Sequence, residues 1–354
     1  MRCALFLVAV GLACGCDGEP GSAAKSAAEV TSSPEKPKAE PEPAIAVAYT
    51  SVDQVFSQPV FQHCEQETGL EVRGLFDTEE TKSTGVLNRL VAEADSPQAD
   101  VFWSGDPVRP FVLVGRGLVE PYRSPAAEGL PGAFRAGDGT WTGFAARARV
   151  LLVNSERVPE AQTPRSIRDL VDPEWKGQAA IANPLFGTTT MHVAALFSAW
   201  GDEEAKTFLQ QLKDNGVRIA SSNGEVKRLV ASGELAFGLT DTDDAHEARA
   251  SGEPVRVVYP DQDGLGTLLM PTVAVLIENG PHPEAGRRLI DCLVSAEVEA
   301  RLAREAAHMP LRAGIDVPDG VRGASGLRAM EVDYDQVARV MERIQPWLRD
   351  WVGL

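Results

Sequence analysis

The segment Leu235–His246, LAFGLTDTDDAH, sets Asp241, Asp243 and Asp244, with two threonines, directly behind a short apolar run. Oxygens crowded in this way have two simple uses. Thr and Asp side chains cap the free N–H groups at a helix start, and carboxylates in a first turn suit the helix dipole. Carboxylates at the end of a strand can also face a bound molecule, because open α/β sheets hold ligands beyond the carboxyl ends of their strands. Which use applies depends on what other loops share that edge.

The rest of the chain supplies such loops. AIAVAYTS alternates Ile45, Val47 and Tyr49 with alanines as a strand does, and SQPVFQHCEQETG reads as a helix with Ser57 as a cap and Gly69 as its stop. LEVRGLF is a second strand, STGVLNRLVAEA a helix with Val86, Leu87, Leu90 and Val91 on one face, and ADVFWS a third strand. This alternation predicts an α/β fold with mostly parallel sheets flanked by helices. The first binding edge then carries Ser51 and Asp53, the stretch with Asp77, Thr78, Glu79, Ser83 and Thr84, and Trp103 with Asp106. TGFAARAR, Thr142–Arg149, is a further stretch of that edge. Ser83 could equally be a helix cap in a solvated loop.

A second unit begins at ARVLLVN. In it QAAIAN is a strand, Gly187–Thr190 opens a helix carrying Val193, Leu196, Phe197 and Trp200, and another helix starts near Asn223. Thr188, Thr189, Asn223 and Thr242 therefore fall on the second edge with the aspartates. Free N–H groups and hydroxyls at a Gly-Thr-Thr-Thr helix start suit an anion or carboxylate. The strand in GTLLMPTVAVLIENG then returns the chain to the first unit. The resulting division is residues 44–145 plus 266–354 as lobe 1 and 146–265 as lobe 2, joined by two crossovers that can act as a hinge.

Composition fixes the setting. The 354 residues carry 34 Lys+Arg against 51 Asp+Glu, a formal charge of −17, which argues against a nucleic-acid partner. MRCALFLVAVGLACGCDG has Arg2, an apolar run from Ala4 to Ala13 and then small residues, the layout of an export signal too short to span a membrane as a helix. Gly15–Cys16 resembles a bacterial lipoprotein processing site, with Cys16 the expected lipidated residue and Cys14 the alternative. Residues 1–16 are then a signal region. Residues 17–43, nearly all Pro, Glu, Ala, Ser, Lys and Gly, cannot bury enough apolar surface to order and read as a disordered tether. The body keeps Cys64 and Cys292, either one disulfide or two buried thiols.

Six stretches in order carry a resemblance: AYTSVDQ with the helix that follows it, PQADVFWSGDP, GFAARARVLLVN, DLVDPEWKGQAAIANP, GTTTMHVAALF and GPHPEAGRRLIDCLVSAEVEARLA. From about Ala44 to Leu311 the chain resembles the periplasmic solute-binding proteins of ABC importers, type II, in the ferric-ion-binding branch. That resemblance implies a monomeric two-lobed clamshell that captures a small solute and presents it to a permease in the inner membrane, without catalysis. Placed by motif, Asp53 and Asp106 stand near the family's first-lobe iron ligands, and Thr242–Asp243 near its adjacent tyrosine pair. The pair is missing, since Tyr49, Tyr122, Tyr259 and Tyr334 are all isolated.

What remains at those positions is a set of hard oxygen ligands. Asp53, Asp106, Asp241 and Asp243 suit ferric iron or another hard cation as cargo, with Asp241 or Asp243 pointing into the cleft and Asp244 capping the helix. Converging carboxylates repel one another and raise their pKa values, and a bound cation or amine relieves this. A phosphonate, sugar phosphate or polyamine is the alternative solute. An enzyme alternative rests on AFGLTDTDDA, which resembles the Asp-x-Asp motif of haloacid-dehalogenase-type phosphatases, with Asp241 as nucleophile. Ala245 stands where that motif carries Thr or Val, and no later Lys with a paired-aspartate loop follows.

Overall fold

A computed structural model describes residues 43–77 and 85–353. The signal region, Cys16, the tether and residues 78–84, with Thr78, Glu79, Ser83 and Thr84, lie outside the described residues.

The chain begins with β1 (Ile45–Thr50), α1 (Gln54–Thr68), β2 (Glu71–Phe76), α2 (Gly85–Ala92), β3 (Val101–Ser104), α3 (Arg109–Gly115) and β4 (Val119–Glu120). β5 (Thr142–Asn154) is one strand of 13 residues. After it come β6 (Ala179–Ala182), α4 (Gly187–Trp200), α5 (Asp202–Asp214), β7 (Arg218–Ala220), α6 (Asn223–Ala231), β8 (Phe237–Asp241), α7 (Thr242–Ala250) and β9 (Val255–Val258). The last strand is β10 (Leu269–Ile277), followed by α8 (Pro283–Leu293), α9 (Ala296–Ala306) and α10 (Tyr334–Val352).

Local signals account for many of these boundaries. Gly69 adopts φ 67° and its N–H returns to the Glu65 carbonyl at 2.8 Å, closing α1. Ser295 caps α9 through the Val298 N–H, and Ser222 caps α6 through the Glu225 N–H. Ser57 does not cap α1. It lies within the helix, and its hydroxyl donates to the carbonyls of Val52 and Asp53.

The strands run in the order β2-β1-β3-β10-β5-β8-β6-β7, with β4 on β10 and β9 on β5. β1 is parallel to β2 and β3, and β6 is parallel to β7 and β8. Residues 142–148 of β5 pair with β10, while residues 149–154 pair with β8 and β9. One strand thus passes from one half of the sheet into the other. Alternation in β3 sends Val101 and Trp103 into one core and Phe102 into another.

Cys64 of α1 and Cys292 of α8 form a disulfide, with Cα atoms 5.7 Å apart. At the far end of the chain α10 lies on α4, where Phe197 meets Trp347 at 5.7 Å and Arg343 holds Asp202 through both guanidinium nitrogens. By these contacts α10 sides with residues 146–265, although position in the chain groups it with 266–354. Its first residue, Tyr334, touches Trp141 and donates to the Leu269 carbonyl, so the helix also reaches the other lobe.

Candidate functional site

Parallel pairing brings the ends of β6 and β8 to one edge, and antiparallel pairing sets Arg149 of β5 directly opposite Asp241 of β8. Both side chains are buried, and Arg149 Nη1 donates to Asp241 Oδ1 at 2.5 Å. The same nitrogen donates to Thr188 Oγ1 at 3.0 Å and Asn223 Oδ1 at 3.1 Å, and Nη2 donates to Thr189 Oγ1 at 3.2 Å. Asp241 Oδ2 accepts from Thr188 Oγ1 at 2.8 Å and Asn223 Nδ2 at 3.2 Å. Thr188, Thr189, Asn223 and Asp241 therefore close into one ring around a guanidinium. A charged group in a dry interior needs this many partners, because an unpaired one is strongly destabilising.

Two residues earlier on the same face of β5, Arg147 reaches out of that ring. Its Nη2 donates to the Gly105 carbonyl at 3.2 Å, in the loop after β3, and its Nη1 donates to Asp243 Oδ2 at 3.3 Å, at the start of α7. Asp241 Oδ2 lies 3.6 Å from the same nitrogen. The side chain keeps 20% of its exposure, whereas Arg149 keeps none. Burial alone would lower the Arg147 pKa, but Asp243 and Asp241 outweigh it and raise the value, so the group is cationic at any physiological pH.

The aspartate cluster itself differs from the helix-cap expectation. Asp241 occupies the N-cap position of α7 without a side-chain cap bond, and Asp244 does not cap the helix. Asp244 Oδ2 instead accepts from Thr240 Oγ1 at 3.0 Å, and burial followed by the charges of Asp243 and Asp241 pushes its pKa up to about 6. Oxygens of Asp241, Asp243 and Asp244 lie within 4.8 Å of one another. Asp241 already has a cation against it, so its capacity as a metal ligand is largely taken by Arg149. Thr242 faces the strand, with its hydroxyl accepting the Ala148 N–H at 3.1 Å.

On the opposite edge Ser51 Oγ accepts the Gly105 N–H at 3.0 Å, joining the loops after β1 and β3. Asp106 Oδ1 accepts from the N–H groups of Val108 and Arg109, and its Oδ2 stands 3.4 Å from Arg109 Nε, so much of this carboxylate serves the start of α3. Asp53 is the N-cap residue of α1, and the Asp77 N–H donates to the Thr50 carbonyl at 3.0 Å. Trp103 departs from its expected place beside a ligand. It is wholly buried between Phe61 and Phe144, because β3 turns that position into the core.

Three residues of the site were not singled out from the sequence: Arg147 and Arg149, which lie in the Thr142–Arg149 stretch placed on the first edge, and His308. A usable signal was present for the first two, since two arginines spaced by two in the otherwise apolar run FAARARVLLVN must find partners if the strand is buried. His308 gave none. Its ring is buried, and desolvation, followed by the charge of Arg147, brings its pKa down to about 3 while Asp53 acts in the opposite sense. The ring is neutral at physiological pH.

Among the described residues no helix is long and apolar enough to cross a membrane. The profile of a family described as bacterial extracellular solute-binding protein matches residues 96–325. Iron uptake protein A1 of Synechocystis is 28% identical over 284 residues, covering 77% of each chain. A putative 2-aminoethylphosphonate-binding periplasmic protein of Salmonella typhi is 25% identical over 305 residues, covering 84% of this chain and 83% of that one. A Trichodesmium protein solved with iron and citrate ligands superposes with a TM-score of 0.78 at 21% identity, over 88% of this chain and 99% of that one.

Proposed function

The chain belongs to the bacterial extracellular solute-binding proteins, and from that premise we propose that it captures a small solute bearing an anionic oxygen group and hands it to an ABC permease. It is a binding protein, and the phosphatase alternative falls with the family assignment. The observation that carries the ligand class is Arg147, which touches the loop after β3 on one side and Asp243 on the other while its neighbour Arg149 consumes Asp241. A guanidinium placed between two loops is suited to phosphonate or carboxylate oxygens. That chemistry has two sources, a free phosphonate and the carboxylates of a ferric chelate such as ferric citrate. Names of relatives include both an iron uptake protein and an aminophosphonate-binding protein.

The lobes in this proposal divide at 145/146 and 265/266, with α10 added to the second. Cys16 is the proposed lipid anchor, residues 17–43 the tether, and the periplasm or cell envelope the location of a monomeric body. Calorimetric titration with 2-aminoethylphosphonate, ferric citrate and uncomplexed calcium separates the cases. Arg147→Ala should weaken the anion that binds by roughly 10- to 100-fold, as for loss of a hydrogen bond to a charged group. A second reading, direct capture of a hard cation, rests on the close approach of Asp241, Asp243 and Asp244. Metal retained equally by Arg147→Ala and lost in Asp243→Ala would favour it and overturn the anion reading.

A further inference from the structure

The segment after α9 runs back along β5, and Ala146 and Met309 form an antiparallel bridge with both backbone hydrogen bonds made, at 2.7 and 2.6 Å. His308 precedes Met309 as Arg147 follows Ala146, so the two residues adjoin across the bridge, and the Arg147 charge acts on the His308 ring. His308 therefore stands beside the guanidinium that bridges the two loops, and it is 7% exposed. Its Nδ1 is shut off from solvent and has no hydrogen-bond partner. A polar atom left in that state costs the protein stability. A buried polar atom of this kind calls for a partner that the fold itself does not supply, such as a ligand or water.

We propose that His308 is a solute-contacting residue, whose imidazole hydrogen-bonds a hydroxyl or amine on the solute next to the anionic group taken by Arg147. This rests on the reading of the cleft as the solute site. Because the ring carries no charge, it adds recognition without repelling Arg147 or competing with it for the anion. The solute class narrows to oxyanions with a neighbouring hydrogen-bond donor, of which an aminophosphonate and a hydroxycarboxylate chelate are both examples.

The test uses the full-length protein with 2-aminoethylphosphonate and with gallium citrate, a diamagnetic stand-in for the ferric chelate. His308→Leu should weaken binding of the better probe about tenfold or more, in the range for one hydrogen bond to a polar group on a charged ligand, and His308→Asn should recover part of the loss. Thermal stability should stay level or rise in His308→Leu, because the variant removes an unpartnered buried atom. A residue with a merely structural role would lose stability and affinity together. In protein labelled with 15N-histidine, the His308 ring nitrogens should shift on saturation. Unchanged affinity in His308→Leu alongside weakened binding in Arg147→Ala overturns this assignment alone. Unchanged affinity in Arg147→Ala, or no binding of either probe to the native protein, overturns the reading of the site and this assignment with it.

Discussion

Among the described residues two arginines are buried against carboxylates, and their surroundings differ in kind. Arg312 pairs with Glu299 at 2.7 Å, and its other donors go to the backbone carbonyls of Glu128, Val294 and Ala126. Glu299 in turn accepts the backbone N–H groups of Ala145 at 3.0 Å and Leu311 at 2.8 Å. That pair fastens main chain to main chain, and it holds Ala145 where β5 takes φ 41°. Arg149 and Asp241 are bonded mainly to side chains, and those side chains begin helices α4 and α6 at the edge of the cleft. Backbone partners make a buried ion pair a rivet of the fold. Side-chain partners make it a mould for a surface.

Breaking the rivet should have the largest effect. Glu299→Ala leaves Arg312 without a counter-charge and two buried N–H groups without an acceptor, and urea denaturation should show a loss of about 3–5 kcal/mol. Loss below 1 kcal/mol would put the two arginines in the same class. Asp241→Asn should cost less, about 2–3 kcal/mol, since Thr188, Thr189, Asn223 and the Leu239 carbonyl still receive the guanidinium hydrogens. It should nonetheless abolish solute binding, whereas a Glu299 variant that remains folded should keep it. Stability and affinity, measured on both variants, sharpen or dissolve the contrast.

Acid provides the smallest and most graded test. His192 lies behind the cleft ring, and desolvation, followed by the charge of Arg149, brings its pKa from 6.5 down to about 3; His308 is lowered similarly. Between those pH values the unfolded chain binds more protons than the folded one, so both histidines take stability away as the pH falls from 6.5 towards 3. Asp244, raised from 3.8 to about 6, works the other way over its own window, since the folded carboxyl holds its proton when the unfolded one has lost it. Burial raises Asp261 as well, in the same sense as Asp244. Hydrogen bonds lower Asp138, Asp202 and Glu225, whose stabilisation is lost with that of the histidines as the pH falls, so the protein should lose stability on acidification from pH 6.5 to 4. His192→Leu should make that slope shallower. An unchanged slope would show that His192 is protonated without penalty.

How much of this could be read from the chain depends on the range of the interaction. Gly69, Ser295 and the helix start at Asn223 are legible because a turn or cap is settled by residues within four positions. The threonines, Asn223 and Asp241 could be assigned to one edge from strand order alone. Their bonding could not, because Arg149 and Asp241 are 92 residues apart and meet only through the register of β5 on β8. Trp103 illustrates a one-residue limit: alternation in a four-residue strand decides between core and cleft, and the loop signal Gly105–Asp106 begins immediately after it. The disulfide was open between two outcomes until α1 and α8 were placed side by side. His308 had no local pattern to reveal it.

The position of β10 has a consequence for the order in which the molecule can be assembled. It is the last strand of the chain among the described residues, yet it lies in the middle of the sheet, between β3 and β5. A chain synthesised only as far as residue 258 has β6, β7, β8 and β9 available to complete one half, while β3 and the first half of β5 face each other across a missing strand. Both present unpaired edges, the kind of surface that recruits other strands. The half made first is thus the half finished last, and its closure waits for a contact between segments more than 100 residues apart.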